Sequence, residues 1–153
     1  MRRIILALAM TGLLLTASPA FAQEMMGTFS VGIGGGFSDV DVAPFVISGK
    51  YWDYEWEAGL DIFTSFESES SDYDQIGMVY LLYRYGLDQQ YQDGSAYLGI
   101  GGGFIFNDWR DFSNQFGPVG AIGWDAYEWG LELKYGYFDP GIFNICVYYN
   151  FNQ

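Results

Sequence analysis

Alternation of apolar and polar or small residues is the feature of this chain that most restricts its fold. It is clearest in the segments that begin at Phe29, Trp56, Trp129 and Phe143, where apolar residues recur at every second position. Because successive side chains of a β-strand point to opposite faces, each segment predicts a strand with one apolar face. Together with less regular segments, the pattern predicts eight strands of roughly seven to eleven residues, the length of a tilted strand that crosses a bilayer.

Four of these eight segments alternate less regularly. Strands are predicted from Phe45 and from Ala96 onward, each with one apolar face. Around Val79 and Val119 both faces carry apolar residues, so the pattern leaves the orientation of these two strands open.

The N-terminus has the three parts of a secretory signal peptide. Arg2 and Arg3 precede a mostly apolar run from Ile4 to Leu15, and the small residues Ala20 and Ala22 flank Phe21 before Gln23. The run is too short for a transmembrane helix. We predict that residues 1–22 are cleaved and that residues 23–153 form a single domain.

The charge and cysteine content of the mature chain exclude several classes of protein. Four basic residues face 19 acidic residues, a formal net charge of −15, so nucleic acid is not an expected partner. Cys146 is the only cysteine, so no intramolecular disulfide can form, and stability must come from packing or from a membrane. A lone thiol on a strand is typical of a small core residue, not a reactive group.

The two faces of the predicted strands differ in a way that orients them. Opposite the apolar face lie mostly Gly, Ser, Asn and Tyr with few charges. These residues would make a poor soluble surface but suit a narrow eight-stranded lumen. We therefore predict an all-β fold, an eight-stranded antiparallel up-and-down transmembrane β-barrel whose apolar face meets lipid.

The tryptophans lie at or just beyond the ends of predicted strands. Amphipathic aromatic rings at these positions are expected where hydrocarbon meets the lipid headgroups. The predicted aromatic girdle comprises Trp52, Trp56, Trp109, Trp124 and Trp129.

The pattern resembles that of the small eight-stranded bacterial outer-membrane barrels of the OmpA and OmpX type. The final strand carries the aromatic pair Tyr149 and Phe151, although Asn152 and Gln153 follow where the family usually ends on an aromatic residue. The resemblance implies location in the cell outer membrane of a Gram-negative envelope, with the N-terminus and short turns in the periplasm and longer loops outside. Expected partners are outer-membrane lipid, lipopolysaccharide and the outer-membrane assembly machinery, and we expect a monomer.

Charged residues on the small-residue faces are candidates for a network inside the barrel. Arg84 belongs to this set if the Val79 face of its strand meets lipid; otherwise it can extend to the membrane interface from its strand end. A salt-bridge network that fills the barrel is favoured over a proton or ion path, because unpaired charges in a closed lumen are costly. The predicted network comprises Lys50, Glu57, Asp61, Arg84, Glu132 and Lys134.

The sequence gives little support to the hypothesis that the protein is an enzyme. The architecture resembles that of the lipid A palmitoyltransferases and deacylases, but their catalysis depends on a histidine general base, and the chain has no histidine. The acidic run 67–72 lacks the spacing of an EF-hand and is interpreted as a solvated loop. We predict no catalytic residue, no metal site and no cofactor.

The function that follows is an outer-membrane barrel with a structural or surface-interaction role, in adhesion or envelope integrity, its lumen plugged by side chains. One alternative is a porin-like channel for small solutes or ions. Another is a soluble secreted ligand-binding barrel. No loop motif indicates a surface ligand.

The hexamer GIGGGF occurs twice, at 32–37 and 99–104. A nucleotide-binding G-x-G-x-x-G would need glycine in place of Phe37 and Phe104 and a following helix. The sequence Trp-Asp-Tyr-Glu-Trp at 52–56 also returns at 124–129 with one residue inserted. The repeats favour two duplicated four-strand halves, with the glycines of each hexamer facing the lumen.

Overall fold

The alternating segments all form strands. The computed structural model describes residues 27–38, 42–53, 55–66, 73–87, 94–107, 115–139 and 141–151. The strands are β1 Thr28–Ser38, β2 Val42–Trp52, β3 Trp56–Phe66, β4 Tyr73–Gly86, β5 Ser95–Asn107, β6 Gln115–Asp125, β7 Trp129–Gly136 and β8 Ile142–Phe151. The predicted signal peptide, Trp109 and the acidic run 67–72 lie outside the described residues.

Each strand pairs antiparallel with the next along the chain, and β8 pairs with β1 to close the barrel. The closing register runs from Phe29 opposite Phe151 to Ser38 opposite Ile142. Closure removes the sheet edges, whose backbone groups could not be hydrated within a bilayer. The predicted fold class, an eight-stranded antiparallel up-and-down barrel, is confirmed. Within the described ranges, no helix is both long enough and apolar enough to span a membrane.

Strand pairing settles the orientation of β4 and β6. Val79 lies opposite Leu60 on β3 and Phe104 on β5, and residues directly opposite one another share a face of the sheet. Val79 is exposed on the outer wall, whereas Met78 and Val119 are 1% exposed and face inward. The Val79 face is therefore the outer face, and Arg84 lies on the inner face of β4.

The outer wall of the barrel is apolar around its whole circumference. Every strand contributes at least one exposed large apolar or aromatic side chain. Examples, one for each strand in order, are Ile33, Phe45, Trp56, Leu81, Ile100, Ile122, Leu131 and Val147.

Glycines of the two GIGGGF copies, in β1 and β5, face the lumen as the alternation predicts. A Cβ atom added at Gly32 would strike the Tyr148 ring, and one at Gly103 would strike Val119. In the first copy the missing side chain makes room for a lumenal tyrosine. In the second copy the space is taken by apolar side chains, Val119 beside Gly103 and Leu82 beside Gly99.

The up-and-down topology separates two ends of the barrel. The chain enters β1 and leaves β8 at the end where β2–β3, β4–β5 and β6–β7 are joined, here called the turn end. The connections after β1, β3, β5 and β7 lie at the opposite, loop end.

Candidate functional site

Lys50 on β2 joins two buried glutamates from opposite sides of the barrel. Its Nζ atom lies 3.3 Å from Oε2 of Glu57 on β3 and 3.1 Å from Oε2 of Glu132 on β7. The same ammonium donates a hydrogen bond to the Tyr97 hydroxyl at 2.9 Å and lies 4.2 Å from the centre of the Tyr148 ring. Both ion pairs are wholly shielded from solvent, where attraction between charges is strongest.

Lys134 on β7 forms the second centre of charge. Its Nζ atom lies 2.9 Å from Asp61 Oδ2 and 2.9 Å from Glu132 Oε1, and it stacks 3.5 Å from the centre of the Tyr80 ring. Glu132 therefore binds one lysine through each of its oxygens and links the two centres.

Arg84 on β4 forms a third centre near the turn end. It donates a hydrogen bond from Nη2 to Asp125 on β6, and its Nε atom lies 3.8 Å from Glu57 Oε2. The guanidinium carbon lies 4.2 Å from the centre of the Trp52 ring and 3.7 Å from that of Tyr97. With 6% of its surface exposed, Arg84 occupies the lumen and does not extend to the membrane interface.

The structure thus brings all six predicted lumenal charges together and adds one more, Asp125. Asp125 ends β6, and its side chain is buried. We refer to the seven residues as the lumenal network: Lys50, Glu57, Asp61, Arg84, Asp125, Glu132 and Lys134.

Polar neighbours of the network were not singled out from the sequence. Asp61 accepts hydrogen bonds from Ser48 and, at 2.8 Å, from Asn144. Glu132 accepts from Tyr97 and, at 3.2 Å, from Tyr148. These neighbours share the small-residue faces of their strands, so alternation marks them as lumenal, but nothing local identifies their partners on distant strands.

Trp52, predicted in the aromatic girdle, instead faces the lumen. Its indole Nε1 donates to the Ser30 hydroxyl at 3.2 Å, and its ring covers Arg84. The repeated Trp-Asp motif implies that Trp52 and Trp124 are equivalent, yet Trp124 is exposed on the outer wall.

Backbone hydrogen bonds at the turns explain this correction. The Asp53 amide donates to the Trp56 carbonyl, and the Ala126 amide donates to the Trp129 carbonyl in the same way. Asp53 and Ala126 are therefore equivalent, which makes Trp52 equivalent to Asp125. The extra residue of the second half precedes its turn and moves Trp124 to the other face of the strand.

The remaining described tryptophans lie on the outer wall near the turn end. Trp56, Trp124 and Trp129 are 48%, 44% and 53% exposed. Trp56 packs edge-on against Tyr83 and Trp129 against Tyr149, with ring centres 5.4 and 5.2 Å apart. These contacts form an aromatic belt at this level of the barrel.

Toward the loop end the lumen becomes apolar, where mainly small and polar residues had been expected. The buried side chains here form an apolar layer above the lumenal network. They are Val46, Phe63, Ile76, Met78, Ile105, Phe138 and Ile142. In the part of the chain that the structure describes, no group of three or more acidic, histidine or cysteine side chains could hold a metal ion.

A closed eight-stranded barrel with an apolar outer wall and a filled lumen defines the fold of the small outer-membrane β-barrels. Neisserial surface protein A has this fold, with a TM-score of 0.50 and 13% sequence identity over 81% of this chain and 94% of that chain. A de novo designed transmembrane β-barrel gives a TM-score of 0.49 at 17% identity, covering 83% of this chain and 98% of that chain. The N-terminal barrel domain of Pseudomonas aeruginosa OprF gives 0.42 at 14% identity, covering 81% and 97%. No protein-family model and no curated protein matches the sequence.

Proposed function

We propose that this chain is an outer-membrane protein whose barrel spans the bilayer with a plugged lumen and serves a structural or surface-interaction role. The apolar outer wall supports the membrane location. Ile33 and Ile100, on β1 and β5, are each 72% exposed, and similar side chains follow on every strand. Soluble monomers rarely expose continuous apolar surface on this scale, so a soluble secreted ligand-binding barrel is disfavoured.

One observation supports the proposal that the lumen is plugged. The side chains that cross the barrel pack against each other and are shielded from water. Lys50 and Lys134 are each 1% exposed, and Tyr148 and Leu82 are fully buried. A water-filled channel would leave charged lumenal side chains hydrated. The lumenal network and the apolar layer above it thus favour a barrier over a porin-like channel.

The distribution of charge bears on what the outer surface can contact. Lys50, Arg84 and Lys134 are used inside the barrel, which leaves Arg110 as the one basic residue of the mature chain to offset the acidic residues of the connections. A surface of this kind repels anionic partners. Lipopolysaccharide contact would therefore require bridging divalent cations, and a protein partner would carry a basic face.

The proposal assigns no catalytic activity. The chain has no histidine, and the lumenal carboxylates are engaged by lysine, arginine and tyrosine side chains. None of the described groups pairs a nucleophile with a free base.

Conductance in planar lipid bilayers separates the plugged barrel from the channel. Purified, folded protein should produce no steady current steps when it is inserted, while a known porin treated in the same way conducts. Reproducible open-channel currents from the folded protein would overturn the plugged lumen and favour the channel.

A further inference from the structure

We infer that the lumen binds one proton and that Glu57 holds it, which makes Glu57 a buried proton-binding site within the lumenal network. The inference requires the closed, filled lumen but no particular surface role for the protein.

The lumenal network contains more acidic than basic groups. The lumenal network contains four carboxylates, Glu57, Asp61, Asp125 and Glu132, and three cations, Lys50, Arg84 and Lys134. Each has 6% of its surface exposed or less. If every group were ionised, one negative charge would remain unmatched in a closed lumen, which is strongly unfavourable. A bound proton removes that charge.

Asp61 and Glu132 each receive hydrogen bonds from several donors. Asp61 receives hydrogen bonds from Ser48, Asn144 and Lys134. Glu132 binds both lysines and receives the hydroxyls of Tyr97 and Tyr148. Multiple hydrogen bonds to a carboxylate favour its charged form, so neither side chain is the natural place for the proton.

The choice between Asp125 and Glu57 follows from their contacts with Arg84. Asp125 forms a direct ion pair with Nη2 of Arg84 and ends its strand at the turn end of the barrel. Glu57 is fully buried, and its Oε2 atom lies 3.3 Å from Lys50 Nζ and 3.8 Å from Arg84 Nε. Its carboxyl group also contacts that of Glu132. Its Oε1 atom has no hydrogen-bond partner.

Tyr80, on the lumenal face of β4, carries a second buried polar group without a hydrogen-bond partner. A Cβ atom at Gly59, the next lumenal residue of β3, would strike the Tyr80 hydroxyl. Arg84 Nη1 and Asp125 Oδ1 are the other buried side-chain atoms without a partner among the described residues. A fully buried carboxylate oxygen that receives no hydrogen bond favours the neutral, protonated form of its carboxyl group.

Buried titratable groups of seven strands share the lumen with Glu57. They are Lys50 on β2, Asp61 on its own strand, Tyr80 and Arg84 on β4, Tyr97 on β5, Asp125 on β6, Glu132 and Lys134 on β7, and Cys146 and Tyr148 on β8. With the proton in place, three carboxylates balance three cations. Because the folded barrel then binds a proton that the unfolded chain lacks at neutral pH, the free energy of unfolding falls as pH rises until that proton is released.

Infrared spectroscopy of the folded protein in lipid vesicles tests the assignment. Wild-type protein at neutral pH should show the carbonyl stretch of a protonated carboxylic acid, and ¹³C-labelled glutamate should shift that band. Glu57→Gln should abolish it, whereas Glu128→Gln, at an exposed turn residue, should leave it unchanged. Absence of the band, persistence in Glu57→Gln, or a band that glutamate labelling fails to shift would each overturn the inference.

Unfolding by urea at several pH values provides the second readout. Glu57→Gln should unfold at the wild-type urea concentration or a higher one at neutral pH, and it should lose part of the decrease that the wild type shows as pH rises. A variant that unfolds more easily than wild type, with an unchanged pH dependence, would contradict proton binding at Glu57. If the variant fails to fold, the labelled wild-type spectrum still decides whether a glutamate carries the proton.

Discussion

Lys50 and Glu132 form an ion pair across the lumen, with 3.1 Å between Nζ and Oε2. The two residues belong to β2 and β7, which are not neighbours in the barrel, since β1 and β8 lie between them. Glu132 also binds Lys134 on its own strand. One carboxylate therefore connects opposite walls of the barrel and couples both lysines.

Removing this carboxylate should destabilise the barrel strongly. Glu132→Gln removes the carboxylate that Lys50 and Lys134 share and breaks both of these buried ion pairs; breaking a buried pair costs about 3–5 kcal/mol of the free energy of unfolding. Urea unfolding in lipid vesicles, followed by tryptophan fluorescence, measures the loss. Glu128→Gln, exposed in the β6–β7 turn, is the matched control and should unfold like wild type. Equal stability of Glu132→Gln and wild type would show that the network contributes nothing to folding.

Two glycines on different faces of the wall should differ in their tolerance of alanine. A Cβ atom at Gly101 would overlap the backbone carbonyl of Leu81 on β4, whereas one at Gly49 would meet nothing within 4 Å. Gly101→Ala should therefore reduce the fraction of protein that refolds, and Gly49→Ala should leave it unchanged. The folded and unfolded bands of a gel of unheated samples give that fraction. If Gly49→Ala refolded less completely than Gly101→Ala, the close approach of β4 and β5 at Gly101 would be contradicted.

The contribution of Arg84 to the stability of the barrel should depend on the planar shape of its side chain as well as on its charge. Arg84→Lys keeps the charge but loses the stacking between Trp52 and Tyr97, worth roughly 1–2 kcal/mol when it is shielded from solvent. A double-mutant cycle of Arg84→Lys and Trp52→Leu measures the coupling free energy. Strictly additive losses would show that the two side chains do not interact.

Cys146 should be unreactive in the folded barrel. Its side chain is 1% exposed, on the lumenal face of β8, where a reagent has no access. A maleimide should add to the protein only after unfolding, as read by mass spectrometry. Glu128→Cys in a Cys146→Ser background should be labelled without unfolding. Labelling of folded wild-type protein at a similar rate would mean that the lumen is open.

Alternation predicted the strands because each strand has one face toward the outside and one toward the lumen. It did not orient β4, because Met78 belongs to the apolar layer and Val79 to the apolar outer wall. Only the pairing of β4 with β3 and β5 shows which of these two residues faces outward. The same limit applied to β6, where Val119 faces inward.

The contacts within the lumenal network could not be predicted from the sequence, and the reason is geometric. Which residues face inward follows from local alternation, but which of them meet depends on the diameter and stagger of the closed barrel. Lys50 and Glu57 lie on neighbouring strands, whereas Lys50 and Glu132, on β2 and β7, are brought together only by closure. Trp52 was misplaced because the sequence repeat does not show where in its second copy the extra residue lies.

The central claim is that the chain folds as a barrel within the outer membrane. A gel that compares unheated and boiled samples of fractionated membranes tests it most directly, because closed membrane barrels resist detergent until they are heated. The protein should sediment with outer membranes and change its mobility on boiling. A protein that stays in the soluble fraction, with the same mobility before and after boiling, would contradict the claim.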